Sequence, residues 1–177
     1  MHSLLNRANA LLAFTLWVLA AVTAACFLSA VFEDYTTDVS YDVKNLKVRS
    51  IVDYASDEQV ADVATMKISF KADFTKVFNW NVKQLFVFLV AEYSTPKNEV
   101  NQIILWDRIV ERNNRVVMDE RELRTKYYCM DDGRHLLGHN NVTLILRYNV
   151  VPNAGYLRLS QARQSVSLKL PTEYASK

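Results

Sequence analysis

The sequence predicts an all-β, sandwich-like domain carried on one N-terminal transmembrane α-helix. Three observations predict it. Residues Ala10 to Phe32 contain no charged side chain. Beyond them, apolar and polar residues alternate with a period of two in several segments, as they do in half-buried strands. Turn residues interrupt these segments often enough to give about seven or eight short strands, a sandwich pattern.

The uncharged stretch comes first. At about 1.5 Å per helical residue it reaches about 34 Å, enough to cross the hydrocarbon core of a bilayer. A cleaved signal peptide and a retained anchor compete for it. Arg7 gives the positive start that both need, and Ala20-Ala21 and Ala24-Ala25 supply small residues. The apolar run is long for a cleaved signal, however. Trp17, Phe27, Leu28, Val31 and Phe32 carry bulk through and past the place where a cleavage site needs small side chains. An uncleaved signal-anchor over 10–32 is the expectation. Arg7 and the amino terminus lie before the span, whereas Lys44 is the first basic side chain after it. The bias places residues 1–9 in the cytosol and residues 33–177 in the lumen, a single-pass type II topology. Ala20 with Ala24 and Ala21 with Ala25 form a small-residue stripe that allows close packing against another helix; alanine is also common in spans generally.

Val39, Tyr41 and Val43 begin the β-pattern, and Leu46 and Val48 then fall on the opposite parity. The slip near Lys44-Asn45 predicts a bulge or bend. Met66, Ile68, Phe70, Ala72 and Phe74 alternate with Lys67, Ser69, Lys71 and Asp73. Leu85 to Ala91 and Ile103 to Trp106 are continuously apolar, the pattern of central strands buried on both faces. Ser94 to Asn98, with Pro96, is the turn between them. Residues 111–126 are rich in charge and read as a short helix or a long hairpin. Lys126 to Met130 is a further strand, ended by Asp131-Asp132-Gly133. Val142, Leu144, Leu146, Tyr148 and Val150 alternate up to the turn at Pro152 to Gly155, and Val166, Leu168 and Leu170 form the last alternating run.

The chain has 177 residues. That leaves about 145 beyond the span, one domain with a real core. Hydrophobic residues make up 50% of the sequence, so this part should fold. The net charge of +2 comes without a basic run, which argues against nucleic acid as a partner. Cys26 lies in the span and Cys129 in the domain, so the fold is not disulfide-built. Cys129 reads as a small buried hydrophobe, with an intermolecular disulfide as the alternative.

Asn141-Val142-Thr143 fits the N-glycosylation acceptor pattern, at a loop-to-strand junction where an acceptor should be exposed. His135 and His139 share a loop with Asp131 and Asp132, but without metal-ligand spacing, so a solvated loop is expected and no metal. No G-x-S-x-G elbow, P-loop or G-x-G-x-x-G occurs, so no catalytic residue and no cofactor are expected. Asn79, Trp80, Asn81 and Lys83 form the densest aromatic-polar cluster. Trp80 is either the anchor of a binding edge or a buried ring whose asparagine neighbours cap a turn.

The run from Trp80 to Ile109, WNVKQLFVFLVAEYSTPKNEVNQIILWDRI, and the run from Asn141 to Gly155, NVTLILRYNVVPNAG, resemble subunit 3 of the eukaryotic signal peptidase complex, as does the start SLLNRANALLAFTL. The similarity runs nearly end to end and thins over 49–64 and 112–126, where no contact is carried over. The resemblance implies a single-pass type II protein of the endoplasmic reticulum membrane with a lumenal domain. It implies a non-catalytic role beside a serine-type catalytic subunit, within a hetero-oligomer that removes signal peptides from nascent chains, and a glycan on Asn141. Two other readings of the residues stand beside it: an anchored lumenal hydrolase using a serine with His135 or His139, and a lumenal module binding substrate or carbohydrate at Asn79-Trp80-Asn81.

Overall fold

The computed structural model describes residues 3–54, 59–113 and 116–175. Among the described residues there are one helix, α1 (Leu4–Ala30), and eight strands: β1 (Val39–Asp53), β2 (Gln59–Asp73), β3 (Val82–Tyr93), β4 (Asn101–Glu111), β5 (Val117–Arg124), β6 (Cys129–Asp131), β7 (Val142–Pro152) and β8 (Arg158–Leu168). One sheet has the order β1-β2-β5, with β6 on the same edge of β2 as it runs past β5; the other is β4-β3-β7-β8. All pairings are antiparallel. Most inward side chains of the two sheets form one core that includes Ile68, Phe74, Leu85, Leu89, Leu144 and Tyr148.

Helix α1 is 27 residues long, about 40 Å. It begins earlier than the uncharged stretch, because the Ser3 hydroxyl accepts the Asn6 N–H at 3.2 Å and caps it. It stops at Ala30 rather than Phe32, where the Ala30 carbonyl accepts both the Glu33 N–H at 3.4 Å and the Tyr35 hydroxyl at 3.2 Å. The helix is apolar around its circumference and exposed along nearly its whole length. A core helix of a soluble domain would be covered by protein, and this one is not. It is long and apolar enough to cross a membrane.

The alternating strands lie as expected. Val142, Leu144, Leu146, Tyr148 and Val150 all point inward from β7. The parity slip in β1 is a bulge between Lys44 and Lys47, where Asn45 takes a positive φ of 54°. β3 is central, between β4 and β7. Its outer face is only partly covered, by the stacked, half-buried rings of Phe86 and Phe88.

β4 departs from expectation: it is an edge strand. Its apolar run does not reflect burial on two faces. Leu89 pairs with Trp106 and Val90 with Ile104, so Leu105 is the extra residue of a bulge. The bulge turns Leu105 and Trp106 both inward and leaves Ile104 44% exposed. The open edge is covered locally, because the Leu105 carbonyl accepts the N–H groups of Lys126 and Tyr127 at 2.8 and 3.2 Å.

The described residues of 111–126 form neither a helix nor a hairpin on β4. A turn at Arg112-Asn113 carries the chain across to the other sheet, where β5 pairs with β2. Charged strand β5 holds because it lies at the edge, with Arg108 of β4 ion-paired to its Glu120. The expected strand over 126–130 shrinks to β6. Strand β8 starts well before the alternating run, at Arg158, and its first residues alternate between half-buried and exposed up to buried Ala162.

Candidate functional site

Two ends of the sandwich carry the residues of interest. At one end the chain enters from α1, and β3 begins, β7 ends and β8 begins. At the other end β7 begins, next to the His135–His139 loop. The separation is about the length of β7, roughly 35 Å.

At the helix end, Tyr35 is the hub. Its carbonyl accepts the hydroxyls of Tyr148 and, at 3.0 Å, Ser160. Its own hydroxyl reaches the Ala30 carbonyl and accepts from the Asn79 side-chain amide at 3.0 Å. The Arg158 guanidinium lies 5.4 Å from the centre of the Tyr35 ring and donates to the carbonyls of Val31 and Glu33 at 3.0 and 3.3 Å. A cation there suits the negative end of the helix dipole. The loop from Asn153 to Leu157 completes the dock. Tyr156 packs edge-on against Phe27 of α1 at 5.9 Å, and Gly155, with φ of 124°, lies against the same Phe27 ring. The cleft between helix and loop has about 30 Å³ of space, room for a water or two rather than a ligand.

The asparagines of the Trp80 cluster belong to this dock. Asn81 is 2% exposed. Its side-chain amide donates to the Ala154 carbonyl at 2.8 Å and accepts the Ala154 N–H at 3.0 Å. Asn79 accepts the N–H groups of Asn81 and Val82 at 3.0 and 3.1 Å. These residues cap the turn before β3 and bind it to the loop after β7. Trp80, held between them, is 60% exposed, and Lys83 is exposed beside it. The asparagines thus cap the turn, as one alternative expects, but the ring between them is exposed rather than buried.

At the far end, Asn141 is exposed immediately before β7. Its N–H donates to His139 Nδ1 at 3.2 Å, and its side-chain oxygen accepts the Ser167 hydroxyl at 2.7 Å. His139 Nε2 lies 2.9 Å from the Ser94 carbonyl. A carbonyl only accepts and an amide N–H only donates, so the ring carries its proton on Nε2. The loop is not merely solvated. Leu136 is fully buried, and Asp131, 8% exposed, accepts from the Tyr93 hydroxyl at 2.7 Å, the His135 N–H at 2.9 Å and the His135 ring at 2.9 Å. Among the described residues no serine hydroxyl bonds either histidine, and no cluster of metal-ligating side chains forms. Cys129 is buried with its thiol pushed up to about 12 by desolvation, an unreactive environment.

Burial pushes Asp131 up, but the His135 amide, the Tyr93 hydroxyl and the His135 ring outweigh it and hold the carboxyl below 3.8. A depressed native pKa contributes stability that is complete above the unfolded value and disappears as pH falls through the native one. Asp131→Asn is therefore expected to lower the urea midpoint at neutral pH. The gap to wild type should close as pH drops below about 4; a gap that is the same at all pH values would exclude the charge as its origin.

The sequence does not mark Tyr35, Gly155 or Arg158 as residues of a helix dock. Gly155 had a signal, as one of three glycines in the chain, but only as a turn residue. Tyr35 and Arg158 had none.

Residues 1–173 match the signal peptidase subunit family. The chain is 64% identical to signal peptidase complex subunit 3 of Caenorhabditis elegans over 99% of this chain and 98% of that one. It is 44% identical to the Drosophila melanogaster protein of the same name, over 99% and 98% of the two chains. Against the Homo sapiens protein, again so named, it is 41% identical over 98% and 97%. With the anchor-like helix, the two-sheet domain and the dock between them matched almost end to end, the chain belongs to the signal peptidase complex subunit 3 family.

Proposed function

We propose that this protein is the non-catalytic, type II subunit of the signal peptidase complex in the endoplasmic reticulum membrane. The apolar segment over residues 10–32, helical as far as Ala30, anchors it as an uncleaved signal-anchor. The sandwich stands in the lumen and supports the serine-type catalytic subunit that cuts signal peptides from nascent chains. Its partners are that subunit, the other subunits of the hetero-oligomer and membrane lipid. The observation that carries the reading is the end-to-end identity with chains named for that complex. The full burial of Leu136 and the bonding of both His139 nitrogens to backbone support a structural rather than a hydrolytic role for the histidine loop. Tagged full-length protein, purified from endoplasmic reticulum membranes in mild detergent, should bring down signal-peptide-cleaving activity. Recovery of this chain alone would overturn the proposal.

Asn141 carries the glycan in this reading, and its exposure at the sandwich end away from α1 supports it. Asn141→Gln should remove one glycan's mass from the mature chain, and endoglycosidase should then no longer change its mobility. Asn79, Trp80, Asn81 and Lys83 form the contact edge at the helix end: the asparagines hold it and Trp80 and Lys83 present it.

A further inference from the structure

We infer that the helix end of the sandwich is seated in the bilayer that α1 crosses, with Trp80 and Tyr156 at the level of the phospholipid headgroups. The inference deepens the proposed anchor and rests on it. Its basis is the packing of Tyr156 on Phe27. Phe27 lies three residues before the end of α1, about 4.5 Å back along the axis. It also lies within the uncharged stretch, whose reach of about 34 Å barely exceeds a hydrocarbon core of about 30 Å. A spanning helix thus carries Phe27 close to the boundary between acyl chains and headgroups. Whatever packs beside Phe27 shares its depth. The loop holding Gly155 and Tyr156 therefore reaches back past the helix end into the interfacial layer.

The chemistry of the surface fits that depth. Phe32 is 93% exposed, Leu157 64%, Trp80 60% and Tyr156 56%. Four large apolar or amphipathic side chains thus lie uncovered around one helix exit. In water such a patch is costly. In the interface, tryptophan and tyrosine are favoured, because ring and polar tip meet acyl chains and headgroups together. Lys83 can lay its stem along the same layer with its ammonium at the phosphates. The two asparagines also acquire a purpose. Asn79 ties the Trp80 turn to Tyr35, and Asn81 ties it to Ala154 of the Tyr156 loop, so both aromatic residues are held at one level. The domain is then seated on the membrane at three points, the helix and two loops, rather than swinging from a tether.

The test uses the full chain in phosphatidylcholine vesicles with bromine placed either near the headgroup end or near the methyl end of the acyl chains. The difference between wild-type emission and that of Trp80→Phe isolates Trp80, since Trp17 and Trp106 contribute to both. Trp17, midway along α1, reports on the anchor. The expected result is loss of most Trp80 emission to the shallow bromine and little loss to aqueous iodide, with Trp17 responding to the deep bromine. Iodide quenching of Trp80 without any effect of shallow bromine, while Trp17 still responds to the deep label, would overturn the seating and leave the anchor intact. A Trp17 that no lipid label quenches would overturn the anchor and the seating together.

Discussion

Leu89→Ala is expected to destabilise the sandwich by about 3 kcal/mol, a large share of the roughly 5–15 kcal/mol that a domain of this kind has. Leu89 is fully buried on β3, between Leu146 of β7 and Trp106 of β4. Leu146 belongs to a regular ladder, and Trp106, beside the β4 bulge, is held edge-on against Phe70, so neither has much freedom to close over the void. Loss of transfer free energy and of packing contacts therefore add. Phe88→Ala is the control. Phe88 is the next residue on the same strand and removes a larger side chain, but it faces outward and is half-buried. A pattern of two predicts that the larger truncation costs less. Urea unfolding of the full chain in micelles checks both, and an unchanged slope would show that the midpoint reports stability alone. If Leu89→Ala cost no more than Phe88→Ala, the inward assignment of β3 would be wrong. A loss of this size should also lower the amount of protein in cells, because the unfolded fraction is continually degraded.

That contrast between neighbouring residues shows which parts of the fold were readable. A period of two says which side chains share a face, and it held along the Met66 to Phe74 run at the end of β2 and along β7 because the inward side chains there are all apolar. A break in the period located the bulge at Lys44-Asn45 before any partner strand was known. A period does not say which strand lies alongside. The same apolar run that makes β3 central in fact belongs to an edge in β4, where a bulge turns two successive residues inward. β5 and the first half of β8 were obscured for the opposite reason. They are edge segments rich in polar side chains, without a run of inward apolar residues, and their hydrogen bonds to β2 and β7 make them strands.

The site follows the same division. The acceptor pattern at Asn141 can be read from the sequence because it is local, three residues long. The helix dock cannot. Asn81 meets Ala154, and Arg158 meets Val31, across separations of 73 and 127 residues. Each contact also uses a residue type that is unremarkable alone. Asparagine beside a tryptophan reads as a binding edge or as a turn cap, and only the position of Ala154 reveals its amide as a clamp on a neighbouring loop.

Gly155→Val is expected to release the sandwich from the helix while leaving the sandwich folded. Two effects act at this position. Its φ of 124° is one that a β-branched residue adopts only at a cost of about 1–3 kcal/mol. A side chain there would also place its first carbon 3.0 Å from the Phe27 ring and 3.8 Å from Pro152. The strain has an easy outlet. The loop can lift from α1, losing the Tyr156–Phe27 contact, without disturbing the core, because β7 and β8 are already paired from Val150–Arg158 onward. Undocking should expose the linker between α1 and β1, whose Phe32, Glu33 and Asp34 are exposed while Tyr35 and Thr37 pin it to the sandwich. Limited proteolysis in micelles should therefore cut the variant faster than wild type between residues 31 and 38, with the thermal midpoint of the domain little changed. Gly155→Ala, with the same φ penalty but less bulk, should lie between the two. Unchanged cleavage in Gly155→Val would show that Arg158 and Tyr35 hold the helix without the loop. A collapse of the thermal midpoint instead would mean that the dock and the core unfold as one unit.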